Sequence, residues 1–254
     1  EEFGWRMAWI WLALGTAVFI YPVALVMRRT PEDCGLYPDG LTEEQVHQGD
    51  GTKAFEEYEA SLSRSQALRT LSFYALIVAF GFFTINIGVM LLHTVPYIVD
   101  SGFTLSDAGW VVFTVSVPAM LSKPVWGYFI DRSPAKPLAA ISAAVTGLAL
   151  FLIVLAVSYH EFVWVLLAFV VLGFGWGGMI PLQEVIWASF FGRRFLGSIR
   201  GAAMPFSLLL GAPAPALVGY YHDMFGRYDE ALLIVVSLNV LSGVLIFLAP
   251  APRR

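Results

Sequence analysis

The chain has 254 residues, of which 58% are hydrophobic and 13% charged, about half the charge share of a soluble domain. That balance excludes an ordinary soluble fold, and a net charge of -4 provides no basic field for nucleic acid. The single cysteine, Cys34, sits in a polar stretch without Cys or His partners at metal spacing, so it reads as a structural or incidental thiol.

The first apolar run, Met7–Met27, follows Glu1-Glu2-Phe3, with no initiator Met, no basic leader and no small-residue cleavage site. It is therefore not a signal peptide, and the chain is expected to begin in mid-protein. Six further runs are long enough to cross a hydrocarbon layer of about 30 Å: Leu71–Val95, Ala108–Phe129, Leu138–Tyr159, Val163–Trp187, Ala202–Tyr221 and Ala231–Ala249. They lack the two-residue alternation of barrel strands, so the fold class is all-α, a polytopic bundle of seven transmembrane helices.

Between the first and second runs lies one long polar connection; the other connections are short. It opens on turn formers from Thr30 to Gly40 and continues in a helical-looking stretch from Lys53 to Arg69. A domain boundary is expected there: 1–27 as the last helix of a preceding half, 28–70 as a linker, and 71–254 as a six-helix half.

The basic residues fix an orientation. Arg28, Arg29, Lys53, Arg64, Arg69, Arg132, Lys136, Arg193, Arg194, Arg200, Arg253 and Arg254 all fall in alternate connections or the C-terminal tail. Only Arg6 and Arg227 lie on the other side, and Lys123 lies within a span. The positive-inside rule then places the linker and C-terminus in the cytoplasm and the N-terminus outside a cell membrane.

Ionisable groups within spans are costly and mark candidate sites. Lys123 stands roughly 10 Å inside the cytoplasmic end of its span, with Ser116 on the same helix face. It either contacts an anion or snorkels to the interface. Asn86 and His93 share a face of the second span and suit substrate contact or a proton relay, or a helix–helix hydrogen bond. Glu184, at the cytoplasmic end of the fifth span, suits an ion pair with Arg132, Arg193 or Arg194, or proton transfer. His47, His160 and His222 read as solvated loop residues. Trp110, Trp126, Trp164 and Trp187 read as an interfacial belt. The glycines from Gly173 to Gly178, with Gly211, Pro213, Pro215 and Gly219, read as packing sites or kinks. No cofactor or metal site is visible.

Two stretches carry a resemblance. Gly127-Tyr128-Phe129-Ile130-Asp131-Arg132 resembles the G-x-x-x-D-R loop motif found between the second and third helices of each half of major facilitator transporters. If the linker joins the two halves, the motif stands where the C-terminal copy belongs. Gly173-Phe174-Gly175-Trp176-Gly177-Gly178, the run from Phe191 to Gly201, Gly219 to Tyr228 and Arg28 to Leu36 are similar to the oxalate/formate and monocarboxylate carrier branch. The resemblance implies a secondary transporter of a small organic anion, coupled to protons or a counter-anion and working by alternating access. It further implies that about five helices of the other half are missing from this chain.

It also implies site roles. Lys123-Pro124 stands where the branch has Arg-Pro, the Arg being assigned to the substrate carboxylate; Lys keeps the charge and loses the bidentate fork. Ala119 replaces the branch's Asp, which departs from its proton-coupling route. Gly127, Asp131 and Arg132, with Glu184, Arg193 and Arg194, form the expected cytoplasmic latch. Asn86, His93, Ser116 and Lys123 form the expected substrate set.

Other readings are a heptahelical receptor, a non-transporting membrane sensor or a membrane enzyme. The receptor is opposed by the long first cytoplasmic loop, the lone cysteine and the absence of a lysine in the last span. An enzyme is opposed by the scatter of His93, Lys123 and Glu184 over both membrane faces.

Overall fold

Residues 4–27 and 60–252 are described by the computed structural model, in two units divided after Glu57. The linker motif from Arg28 to Leu36, Cys34, His47 and Arg253–Arg254 lie outside the described residues. The first unit contributes one apolar helix, α1 (Gly4–Val26), with Pro22 near its end.

The second unit begins with a single helical turn, α2 (Arg64–Ala67), started by a reciprocal capping box between Ser63 and Gln66. The expected continuous helix from Lys53 into the next span is not what forms over residues 60–70. The chain turns at Leu68–Thr70, and the Thr70 hydroxyl caps a new helix by accepting from Phe73 N–H. This segment is docked: Leu62 N–H donates to the Phe191 carbonyl at 2.9 Å, and the Leu62 side chain is buried.

The long helices follow: α3 (Leu71–Asp100), α4 (Leu105–Ile130), α5 (Ala135–Ser158), α6 (Phe162–Phe191), α7 (Leu196–Gly211), α8 (Ala214–Phe225) and α9 (Asp229–Leu248). Counting α7 and α8 as one span and including α1, seven segments among the described residues are long and apolar enough to cross a membrane. No strand occurs among the described residues. Most helices overrun the expected apolar runs, the pair α7 and α8 most of all, and α3 and α6 are the longest single helices. Each is 30 residues long, or about 45 Å at 1.5 Å per residue.

The sixth expected span is two helices. Pro213 and Pro215 carry no N–H, so the carbonyls four residues earlier, at Leu209 and Gly211, lose their intrahelical donors and the helix breaks.

Within this unit α6 packs against both α4 and α5, α9 against α5 and α3, and α7 and α8 against α3. The glycine run on α6 makes the close contacts possible. A Cβ on Gly177 would stand 2.5 Å from the Ala119 carbonyl oxygen, and one on Gly178 would enter the Trp126 ring. Gly173 faces the Val115 carbonyl, while Gly175 faces Thr146 on α5. These glycines are packing sites for two neighbours at once.

Small polar side chains tie the helices together, as expected where water is absent. Ser142 donates to the Gly175 carbonyl at 2.8 Å, Ser242 to Ala79 at 2.7 Å and Asn239 to Ala143 at 2.6 Å. The buried apolar residues form two clusters, one toward each end of the bundle. Trp176 packs against both.

Candidate functional site

The site is built on α4. Val111, Val115, Ser122 and Trp126 recur at four- and seven-residue spacing and bury one face of this helix. Ser122 and Trp126 both donate to the Phe174 carbonyl of α6, at 3.3 and 2.9 Å, which fixes the rotation of α4. At about 100° per residue, Gly109, Ser116, Lys123 and Gly127 then line a strip beside the buried face. A separate strip, Trp110, Leu121, Val125 and Tyr128, is exposed and apolar.

Lys123 and Ser116 are both exposed on the polar strip. Ser116 donates to its own helix, to the Val112 carbonyl at 2.8 Å. Lys123 has no hydrogen bond or ion pair among the described residues. Its charge sits about two turns inside the helix end with nothing in this bundle to balance it.

Asn86 and His93 share a face of α3, and that face is turned into the bundle. Asn86 is fully buried; its carbonyl accepts from the Trp176 indole at 2.8 Å, and its amide nitrogen has no partner among the described residues. His93 is half-buried, and its Nε2 lies 2.8 Å from the Pro215 carbonyl of α8. A carbonyl only accepts, so Nε2 carries the proton. The expected substrate set therefore divides: Lys123 with Ser116 on an open face, Asn86 and His93 in helix contacts.

The C-terminal end of α4 carries the loop motif. Asp131 is the C-cap residue, exposed and without an ion pair among the described residues. Arg132 turns back over its own helix. Its guanidinium lies 3.8 Å from the Tyr128 ring centroid and donates to the Tyr128 carbonyl at 3.1 Å. That satisfies a terminal carbonyl and places positive charge at the negative end of the helix. A Cβ on Gly127 would meet nothing within 4 Å, so no described helix uses its open side.

Glu184 is paired, with a partner different from those expected. Arg200 of α7 meets it at 2.8 Å, while Arg193 and Arg194 lie in the exposed turn beyond the end of α6. The reason is level along the axis. Glu184 is two turns from the end of α6, so its antiparallel neighbour must enter α7 by a turn before the levels match. Arg194 is held in the turn, its N–H toward Ser61 at 3.4 Å and its guanidinium 5.3 Å from the Phe195 ring.

Several functional-looking contacts were missed by sequence. Trp126 and Trp187 are 4% and 1% exposed and belong to the core, whereas Trp110 and Trp164 are exposed as a belt requires. Lys136 donates to the Ala249 carbonyl at 2.6 Å and ties α5 to the end of α9. His222 lies within α8 and is not a solvated loop residue: it contacts Asp100 and is stacked on Tyr228. Partial burial, then the Asp100 and Asp223 carboxylates, push the Tyr228 phenol above its ordinary range. Among the described residues no group of three or more His, Cys, Asp or Glu is placed to hold a metal.

A polytopic bundle with glycine-packed helices, one broken span and, among the described residues, a lysine without a counter-charge on an open helix face fits a multi-pass membrane protein. The family model described as Major Facilitator Superfamily matches residues 1–215, and the chain belongs to that superfamily. No curated protein matches the chain closely enough to name as a relative.

Proposed function

We propose that the protein is a secondary active transporter of a small organic anion, a mono- or dicarboxylate, working by alternating access. The observation that carries this reading is Lys123: exposed on the polar strip of α4, inside the span, and without a counter-charge among the described residues. A lysine facing lipid there costs several kcal/mol; a water-filled cavity removes that cost and leaves the ammonium free to draw an anion.

The resemblance to the oxalate/formate and monocarboxylate branch supports the same role, since Lys123-Pro124 stands at its Arg-Pro. It also supports a site between this bundle and a second half, with Asp131, Arg132 and the Glu184–Arg200 pair at the cytoplasmic end. The drive is a proton or counter-anion gradient across the cell membrane. Asn86 and His93 act from within the bundle wall, by fixing α3 against α6 and α8.

The test is gradient-driven uptake of labelled carboxylates, normalised to the amount of protein in the membrane. Lys123→Gln is expected to abolish uptake and Lys123→Arg to retain part of it. Wild-type uptake by Lys123→Gln would return the lysine to a snorkelling role and reopen the solute class.

A further inference from the structure

The Asp100 end of the bundle holds a cluster that anion binding at Lys123 does not use. Two carboxylates lie beside the His222 ring of α8 at ion-pair distance: Asp100, at the end of α3, is 3.3 Å from Nε2, and Asp223 is 3.8 Å from Nδ1. The imidazole is stacked on Tyr228, with centroids 4.2 Å apart and planes within 14°. Behind Tyr228 stand Tyr97 and His93, at 5.6 and 5.5 Å, and the Tyr97 hydroxyl donates to Asp229 at the start of α9. The nearby Arg227 is paired with Glu230 at 2.6 Å. The charged and titratable groups around the imidazole are therefore Asp100 from α3, Asp223 from α8, and Tyr228 from the turn. Tyr97, His93 and Asp229 lie one contact further away.

A neutral imidazole has a single N–H. With a carboxylate opposite each nitrogen, one carboxylate must then face a lone pair. The imidazolium places a positive charge between both carboxylates and against an aromatic face. The element it holds is the detached half of a span. Pro213 and Pro215 interrupt the helix where α7 passes into α8, the kind of break at which a helix bends. The start of α8 is fixed to α3 by the His93–Pro215 bond and by Ala214 and Val218, buried in the core cluster that includes Val89, Met90 and Tyr97; toward its end the His222–Asp100 pair is the polar attachment among the described residues.

We infer that the Asp100 end carries a proton-operated clasp, in which protonation of His222 draws α8 onto Asp100 of α3 and deprotonation releases it. The clasp goes beyond the anion reading and does not depend on which solute is carried.

Distance measurement between labels tests it without a transport assay. Val99→Cys and Met224→Cys, both exposed positions at this end, are spin-labelled in a Cys34→Ser background in the intact protein in lipid nanodiscs. Between about pH 8 and about pH 5.5, across the range where histidines change charge, the short-distance population is expected to rise at least about twofold. His222→Gln keeps a donor toward Asp100 but cannot gain charge, and should show the high-pH distribution throughout. His93→Gln should retain the response. If His222→Gln fails to fold, Asp100→Asn, which keeps the shape and removes the charge, carries the same expectation of a lost response. A wild-type distribution that does not change with pH overturns the clasp, as does a full response surviving in His222→Gln or Asp100→Asn.

Discussion

Glu184 of α6 and Arg200 of α7 meet at 2.8 Å across the turn that joins the two helices, and the two partners are unequally buried. The arginine side chain is 23% exposed and the glutamate 56%. The guanidinium nitrogen at this contact is itself shielded from solvent and lacks a well-aligned hydrogen bond. Removing either partner therefore has different consequences. A lone Glu184 can be hydrated, whereas a lone Arg200 is left mostly enclosed. Glu184→Gln is expected to lower thermal stability more than Arg200→Gln. The coupling in a double-mutant cycle should be about 1 kcal/mol or less, because the carboxylate is largely exposed. Thermal unfolding of the four proteins in one detergent decides it, and equal losses from the two single variants would contradict the asymmetry.

The α6 glycines give a second test. A Cβ on Gly177 would press on the Ala119 carbonyl and Ser122, and one on Gly173 on the Val115 carbonyl; neither backbone can yield alone. Gly173→Ala and Gly177→Ala should each cost about 1–3 kcal/mol or more, read as lost monodispersity and a lower unfolding temperature. Gly127→Ala has open space, so its stability should hold or rise by up to about 1 kcal/mol from helix propensity. If Gly127→Ala is as damaging as Gly177→Ala, a helix absent from the described contacts packs against it.

A third expectation concerns the buried amide. Asn86 receives the Trp176 indole N–H between the two core clusters, with its own amide nitrogen unpaired among the described residues. Trp176→Phe removes the one donor to the amide oxygen among the described residues and should destabilise by about 1–2 kcal/mol. Asn86→Leu combined with Trp176→Phe should be milder than Trp176→Phe alone, because both polar groups are then gone. Additive losses in the unfolding midpoints would show that the hydrogen bond contributes little.

How far these features were legible depended on the range of the interaction. Span number, helical class and the loop motif follow from composition and runs of apolar residues, which are local properties. Pro213 and Pro215 marked a disturbance; that it divides the span into α7 and α8 follows from two lost hydrogen bonds. Contacts between helices were less accessible. Arg200 does not stand out in sequence as the partner of Glu184, because the length of the turn sets which residues share a level. Trp126 and Trp187 resembled belt residues by position, yet helix rotation buries them. His222 reads as a loop residue in sequence because α8 extends past the apolar run, and its partner Asp100 lies more than a hundred residues earlier.

Tyr228 supplies a pH dependence whose sign can be worked out. Burial and the Asp100 and Asp223 carboxylates hold its phenol above the ordinary value near 10. The folded protein then keeps the proton at pH values where the unfolded chain has lost it. Stability from this residue is complete below about pH 10 and declines as pH rises through the folded value. Tyr228→Phe should reduce the alkaline loss in an unfolding-versus-pH series; an identical decline in the variant would assign the loss to other groups.

The last prediction separates the two charges of the loop motif. Arg132 is engaged with its own helix end, over the Tyr128 ring and on the Tyr128 carbonyl, whereas Asp131 is exposed and unpaired among the described residues. Arg132→Gln loses a terminal hydrogen bond and a favourable charge at the helix C-terminus, worth about 0.3–1 kcal/mol at an exposed position. Asp131→Asn disturbs no contact of this bundle, and its stability should stay within about 0.5 kcal/mol of wild type. If the aspartate acts as a latch, it must find its partner in another arrangement of the transporter. Asp131→Asn should then change the ratio of inward- to outward-open protein, measured by labelling single cysteines on each face, at unchanged unfolding temperature. Arg132→Gln should lower the unfolding temperature as well. An Asp131→Asn variant with wild-type accessibility on both faces and wild-type turnover would remove Asp131 from the mechanism and leave Arg132 as a helix cap alone.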